Sequence, residues 1–137
     1  MAKKGAGYSG TPLVKKLGIK AGMTLAVLNP PDHYWELLDE LPPALIIDGE
    51  APYDFIHIFT NARAQLENEL PRLRGQIVQN GMIWVSWPKK ASKVATDMTE
   101  AVVRELALAH GLVDVKVAAV DAVWSGLKLV IRVKDRV

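Results

Sequence analysis

Met23-Thr24-Leu25-Ala26-Val27-Leu28-Asn29-Pro30-Pro31-Asp32-His33-Tyr34 is the stretch on which the fold turns. Residues 23–29 are an almost unbroken apolar run between Gly22 and Pro30. So short a run, closed by helix breakers, predicts a strand buried on both faces, as in a parallel sheet flanked by helices. Pro30-Pro31 stops it, because proline has no N–H to continue a ladder. Tyr34, Leu37, Leu38 and Leu41 then recur at helical spacing and predict a helix over residues 31–40.

The same alternation extends outward. Upstream, Thr11-Pro12 starts a short helix with Leu13, Val14 and Leu17 on its inner face, and Gly18 ends it. Downstream, residues 44–47 predict a second strand and residues 53–60 a third. Asn61 is the expected cap of a helix whose stripe is Leu66, Leu70, Leu73 and Ile77, with Pro71 kinking or restarting it. Asn80-Gly81 closes that unit, and residues 82–87 predict a fourth strand. Residues 89–95 form a basic loop, and Asp97 with Glu100 resembles a capping box for a helix carrying Val102, Val103, Leu106 and Ala109. Val113, Val115, Val117 and Ala119 alternate with polar residues, as do Leu127, Leu129, Ile131 and Val133. The link between these two segments is too short for a crossover helix, so they should pair antiparallel.

The 137 residues suit one domain, and the absence of cysteine excludes a disulfide scaffold, a thiol nucleophile and Cys-ligated zinc or iron–sulfur. A net charge of +2 gives no broad basic footprint. The charge is unevenly spread, however. Residues 1–31 carry Lys3, Lys4, Lys15, Lys16 and Lys20 and no acid, whereas residues 32–69 carry nine of the fifteen acids. Residues 1–10 read as a flexible basic tail and residues 11–137 as a single α/β domain. No apolar run reaches the length of a signal core or membrane span, so a cytoplasmic protein is expected.

The element order predicts a three-layer αβα domain with a mostly parallel twisted sheet of about six strands ending in an antiparallel hairpin. It resembles the Rossmann-like class I S-adenosylmethionine-dependent methyltransferases, over residues 23–134 in shortened form. Four strings resemble a second family: Tyr8-Ser9-Gly10-Thr11, Leu17-Gly18-Ile19-Lys20, Gly81-Met82-Ile83-Trp84 with Pro88-Lys89, and Trp124-Ser125-Gly126-Leu127-Lys128-Leu129-Val130. These look like the bacterial "domain of unknown function 3052" family. That resemblance implies a small bacterial cytoplasmic protein and carries no established activity.

A methyl-donor fold needs a Gly-rich turn after its first strand, so that backbone N–H groups approach the ligand. Here the turn is Asn29-Pro30-Pro31-Asp32-His33-Tyr34, with no glycine. Asp48 matches the place of a ribose-binding acid. Beyond the carboxyl ends of the strands the expected ligand residues are Asn29, Thr60, Asn61, Arg63, Trp87, Lys89 and Lys90, followed by Ser92 and Lys93. A Lys-rich loop beside a tryptophan suits a phosphate and a stacked base, the bland alternative being a solvated loop with Trp87 in the core. Trp124 and Ser125 are a candidate ligand lip, or else Trp124 packs on the sheet and Gly126 makes the turn. His57, between Ile56 and Ile58, reads as a core histidine, and His33 is the one acid–base candidate near the crevice. No spacing suggests a metal site, and no cofactor is expected.

The leading expectation is a non-catalytic binding or regulatory module that takes an anionic small molecule or a protein partner at the strand-end crevice. An enzyme on a degenerate methyltransferase-like scaffold is the alternative, with His33, Asp48 or Ser125 lining a closed pocket. A weak nucleic-acid binder, using the tail and residues 89–93, comes third. Self-association is left open.

Overall fold

Leu25, Ala26, Val27 and Leu28 form the first strand, β1 (Leu25–Leu28), and the rest of the sheet builds from it in one direction. The computed structural model describes residues 11–47 and 49–137. The basic tail (residues 1–10) and Asp48 lie outside the described residues. In chain order the other elements are α1 (Leu13–Leu17) before β1, then α2 (Tyr34–Leu38), β2 (Tyr53–Phe59), α3 (Arg63–Arg74), β3 (Ile77–Pro88), α4 (Glu100–Ala109), β4 (Leu112–Ala119) and β5 (Trp124–Ile131). Single 3-10 turns follow β3 and β5.

The five strands lie in the order β1-β2-β3-β5-β4. β1, β2 and β3 pair in parallel. β5 inserts antiparallel between β3 and β4, so four strands run one way and one runs back. The short link between β4 and β5 forces this reversal, as the sequence predicts. Among the described residues the sheet has five strands rather than six. Residues 44–47 touch β1 through one parallel bridge, Thr24 to Ile46. Two backbone bonds make it, Ile46 N–H to Met23 O and Leu25 N–H to Ile46 O. Pro42 and Pro43 precede this segment, and Ala44 sits at φ 64°, so the chain is not extended long enough to make a ladder.

Alternate strand residues serve two cores. Ile56, Ile58, Ile83 and Val85 meet Leu66, Leu70 and Leu73 of α3 and Val103 and Leu106 of α4. Phe55, Phe59 and Trp84 meet Val14 and Leu17 of α1 and Tyr34 and Leu38 of α2 on the opposite face. The three-layer arrangement follows. α1 is pinned by the Trp84 indole N–H, which donates to Leu17 O at 2.8 Å.

Several local expectations are corrected. Ile77 does not end the helical stripe but opens β3, with Tyr53 as its register partner. The next partners are Phe55 and Met82, so residues 78–81 bulge out. Gly81 permits the bulge: a Cβ there would lie 3.1–3.2 Å from the carbonyl oxygens of Tyr53, Val78 and Asp54. Asp97 does not cap α4. Thr99 does, its hydroxyl accepting from Val102 N–H at 3.1 Å, while Asp97 accepts from Arg63 N–H at 2.7 Å and so caps α3 from a distance. Asn61 is therefore not the cap of α3. α2 is also shorter than residues 31–40, because Asp39 turns out of the helix at φ 64°.

Candidate functional site

The chain leaves β1 for α2 on one face, touches β1 again from its outer side at Ile46, and returns as β2 on the inner side. From β2 it leaves for α3 on the other face. The chain thus reverses its direction of travel across the sheet between β1 and β2. In open α/β sheets, ligands settle beyond the carboxyl ends of the strands at such a switch point.

Asn29 occupies that point with φ 56°, and its side-chain amide donates to Phe59 O at 3.4 Å, spanning the two strand ends. Pro30 and Pro31 follow, so the turn offers no N–H at either position. Beyond the end of β3 stands the β4–β5 hairpin, with Trp124 opposite Pro88. Asp121 Oδ1 accepts from the N–H groups of Val123 and Trp124, each at 2.8 Å. Its other oxygen, Oδ2, lies 2.8 Å from His33 Nε2. The His33 side chain is 47% exposed and that of Asp121 10%. The pair therefore ties the loop after β1 to the hairpin. The end of β3 joins this rim, since Lys89 N–H donates to Val123 O at 2.6 Å.

The expected ligand residues divide. Asn29 and Lys89 are at the rim, with Lys90 and Lys93 exposed on the loop beyond. Ser92 orders that loop by donating to Lys89 O and accepting from Val94 N–H. Among the described residues no carboxylate pairs with the ammonium groups of Lys89, Lys90 or Lys93. Trp124 packs edge-on against Phe59 at 5.1 Å, half-buried, with Ser125 beside it opposite Trp87. Trp87 and Thr60 are buried in the fold, and the Thr60 hydroxyl bonds within its own turn to Ala62. Asn61 is exposed, its carbonyl accepting from the Thr96 hydroxyl. Arg63 faces away, its guanidinium held by Glu67 and Glu105, both of which raise its pKa.

The start of α3 is where an anionic ligand would be met in a nucleotide-binding unit, since helix N-termini present free N–H groups. Here the Asp97 carboxylate already accepts one of them. The charged groups left at the rim are thus Lys89, Lys90 and Lys93 and the His33–Asp121 pair. Asp121 was missed in the sequence, although an aspartate opening a tight turn is a readable signal.

Below the crevice runs a buried polar chain. Tyr34 Oη is 2.9 Å from His57 Nδ1, and His57 Nε2 is 2.8 Å from Ser86 Oγ. All three residues are 0% exposed. A neutral imidazole has one donor and one acceptor nitrogen, so either tautomer completes the chain. Burial pushes the His57 pKa down to about 3 and raises that of Tyr34, so both groups stay neutral. His57 is a satisfied core histidine, as its place between Ile56 and Ile58 suggests.

A cavity of about 400 Å³ lies elsewhere, along β1 and beside Ile47, Tyr53, Arg72 and Gln76. None of the expected ligand residues lines it. Among the described residues no cluster of His, Asp and Glu could hold a metal ion, and no helix is long and apolar enough to cross a membrane.

No protein-family model matches the sequence, so the resemblance to the "domain of unknown function 3052" family is not shown. No curated protein matches it either. Solved structures do resemble the fold. An O-methyltransferase from neocarzinostatin biosynthesis, in complex with S-adenosylmethionine, is 12% identical with a TM-score of 0.62, covering 91% of this chain and 53% of its own. Magnesium protoporphyrin IX methyltransferase from Synechocystis PCC 6803, with bound SAH, is 10% identical with a TM-score of 0.56, covering 87% of this chain and 78% of its own. A SAM-dependent methyltransferase from Aquifex aeolicus is 13% identical with a TM-score of 0.55, covering 85% and 86%. At such identity these likenesses show one thing, a methyltransferase-like α/β fold.

Proposed function

We propose that this chain is a non-catalytic binding module that takes an anionic small molecule at the strand-end crevice between β1, β2 and the β4–β5 hairpin. The observation that carries this reading is the rim itself. Lys89, Lys90 and Lys93 present ammonium groups without a carboxylate partner among the described residues, next to a topological switch point. The turn after β1 argues against methyl-donor binding of the usual kind. It lacks glycine, two of its residues lack an N–H, and the Asn29 side chain spans the gap a cofactor backbone contact would use.

One observation favours a catalytic reading as the second. His33 Nε2 is held by a nearly buried carboxylate while no hydrogen bond reaches its Nδ1 from the described residues, the arrangement of an oriented general base. SAM is bound in several structures of the same fold, which keeps a methyl-transfer enzyme on this scaffold in view.

Thermal unfolding against nucleotides, S-adenosylmethionine and its demethylated product separates these readings. A ligand at 100 times its dissociation constant stabilises by ~2.7 kcal/mol, a shift of several degrees for a domain of this size. The module reading expects a shift with an anionic nucleotide that Lys89→Glu abolishes. A shift with S-adenosylmethionine alone, lost in His33→Ala, would replace it with the enzyme. No shift with any of them would leave a protein partner as the occupant of the crevice.

A further inference from the structure

Away from the crevice, β4 and β5 put Lys116 directly opposite Lys128. Like charges in that position oppose each other across the ladder, and sheets normally avoid it. Both side chains lie on the α1 face, since Lys116 Nζ donates to Lys16 O in the last turn of α1 at 2.8 Å and Lys128 is the register partner of Trp84. Lys20, just beyond α1, belongs to the same field. Burial lowers the Lys128 pKa first, then the charges of Lys116 and Lys20 lower it further. Among the described residues the ion pairs are made by arginines and His33, and none reaches these lysines.

We propose that Lys20, Lys116 and Lys128 form a phosphate-binding site for a small polyphosphorylated anion, distinct from the strand-end crevice. Each ammonium is a compact charge with three donors, and Lys116 uses one of its three on Lys16 O. Three such groups without a planar fork suit the tetrahedral oxygens of phosphate better than a flat carboxylate. An anion seated there turns a mutual repulsion into a shared attraction. The choice of a small anion over a nucleic-acid backbone rests on extent. Among the described residues only Lys15 and Lys16 of α1 add positive charge beside these three lysines, and the chain's net charge is only +2, too little for an extended basic footprint.

The test uses the full chain at low ionic strength with pyrophosphate as the probe. Pyrophosphate is expected to raise the unfolding temperature by several degrees and to shift the backbone amide resonances of Lys20, Lys116 and Lys128. In Lys116→Gln/Lys128→Met those amide shifts vanish. Without anion the same variant should unfold at a temperature equal to or above that of the unaltered chain, because the opposed charges are gone; this separates loss of binding from loss of folding. Amide shifts confined to residues 89–93 would overturn the site, as would shifts that persist in the double variant. Citrate matching pyrophosphate would overturn the choice of phosphate. An oligonucleotide that binds with steep salt dependence where pyrophosphate does not would give the surface to nucleic acid instead.

Discussion

His57 shows what one side chain contributes at the centre of the sheet. It stacks on Phe59 at 4.2 Å, is fully buried and spends both ring nitrogens on Tyr34 and Ser86. Folding lowers its pKa from 6.5 to about 3, so the unfolded chain binds the proton first as pH falls. Stability from this group is complete above about pH 6.5 and drains away toward pH 3, by about 1.4 kcal/mol per pH unit through the middle of that window. Urea unfolding of the unaltered chain between pH 7 and pH 5 should therefore show a slope that His57→Gln flattens. An equal slope in the two proteins would place the titrating group elsewhere. Tyr34→Phe removes one end of the chain and leaves His57 Nδ1 buried without a partner, for a loss of about 1–3 kcal/mol at pH 7. If the same measurement finds less than about 0.5 kcal/mol, the bond is not holding the core.

At the scale of elements, the loop between β3 and α4 decides how two helices begin. Asp97 and Glu100 have capping-box spacing, yet Thr99 sits between them and takes the cap of α4. Asp97 is thereby released to accept from Arg63 N–H at the start of α3. Spacing along the chain revealed that a cap existed but not which helix received it, because the bond spans 34 residues. Asp97→Ala should cost about 1 kcal/mol in chemical denaturation, and Asp97→Asn should recover most of it, since an amide oxygen can also cap. Equal losses in the two variants would mean the carboxylate charge, not the cap, is what matters. The middle strands carry a second constraint. A Cβ on Gly126 would stand 3.1 Å from the Trp84 ring and 3.2 Å from Ser86 Oγ. Gly126→Ala thus presses on both Trp84 and the buried polar chain, with an expected loss of about 1–3 kcal/mol. A near-UV circular dichroism spectrum unchanged from the unaltered chain would show that Trp84 has room to move.

The whole molecule was legible where local signals repeat and illegible where distant segments meet. The buried apolar run at β1, the stripe of Leu66, Leu70 and Leu73, and the alternation in the last two strands gave the layers and the reversed β5. The missing sixth strand depended on Ala44 turning to positive φ, which no apolar pattern announces. Arg63 looked available until Glu105 reached it from α4, and Lys128 looked like solvated alternation until the register placed Lys116 opposite. The resulting charge layout has a consequence of its own. Lys128 is opposite Trp84 on β3, and Lys89 lies five residues further on, about 16 Å along a strand rising 3.3 Å per residue. That exceeds both the ~8 Å screening length at physiological salt and the ~7–10 Å within which substitutions usually couple. Lys89→Glu and Lys128→Met should therefore change stability additively, within about 0.5 kcal/mol, in urea titrations of the two single variants and the double. A coupling above about 1 kcal/mol would mean that the sheet links the crevice and the lysine face, and the two anion sites would then have to be treated as one.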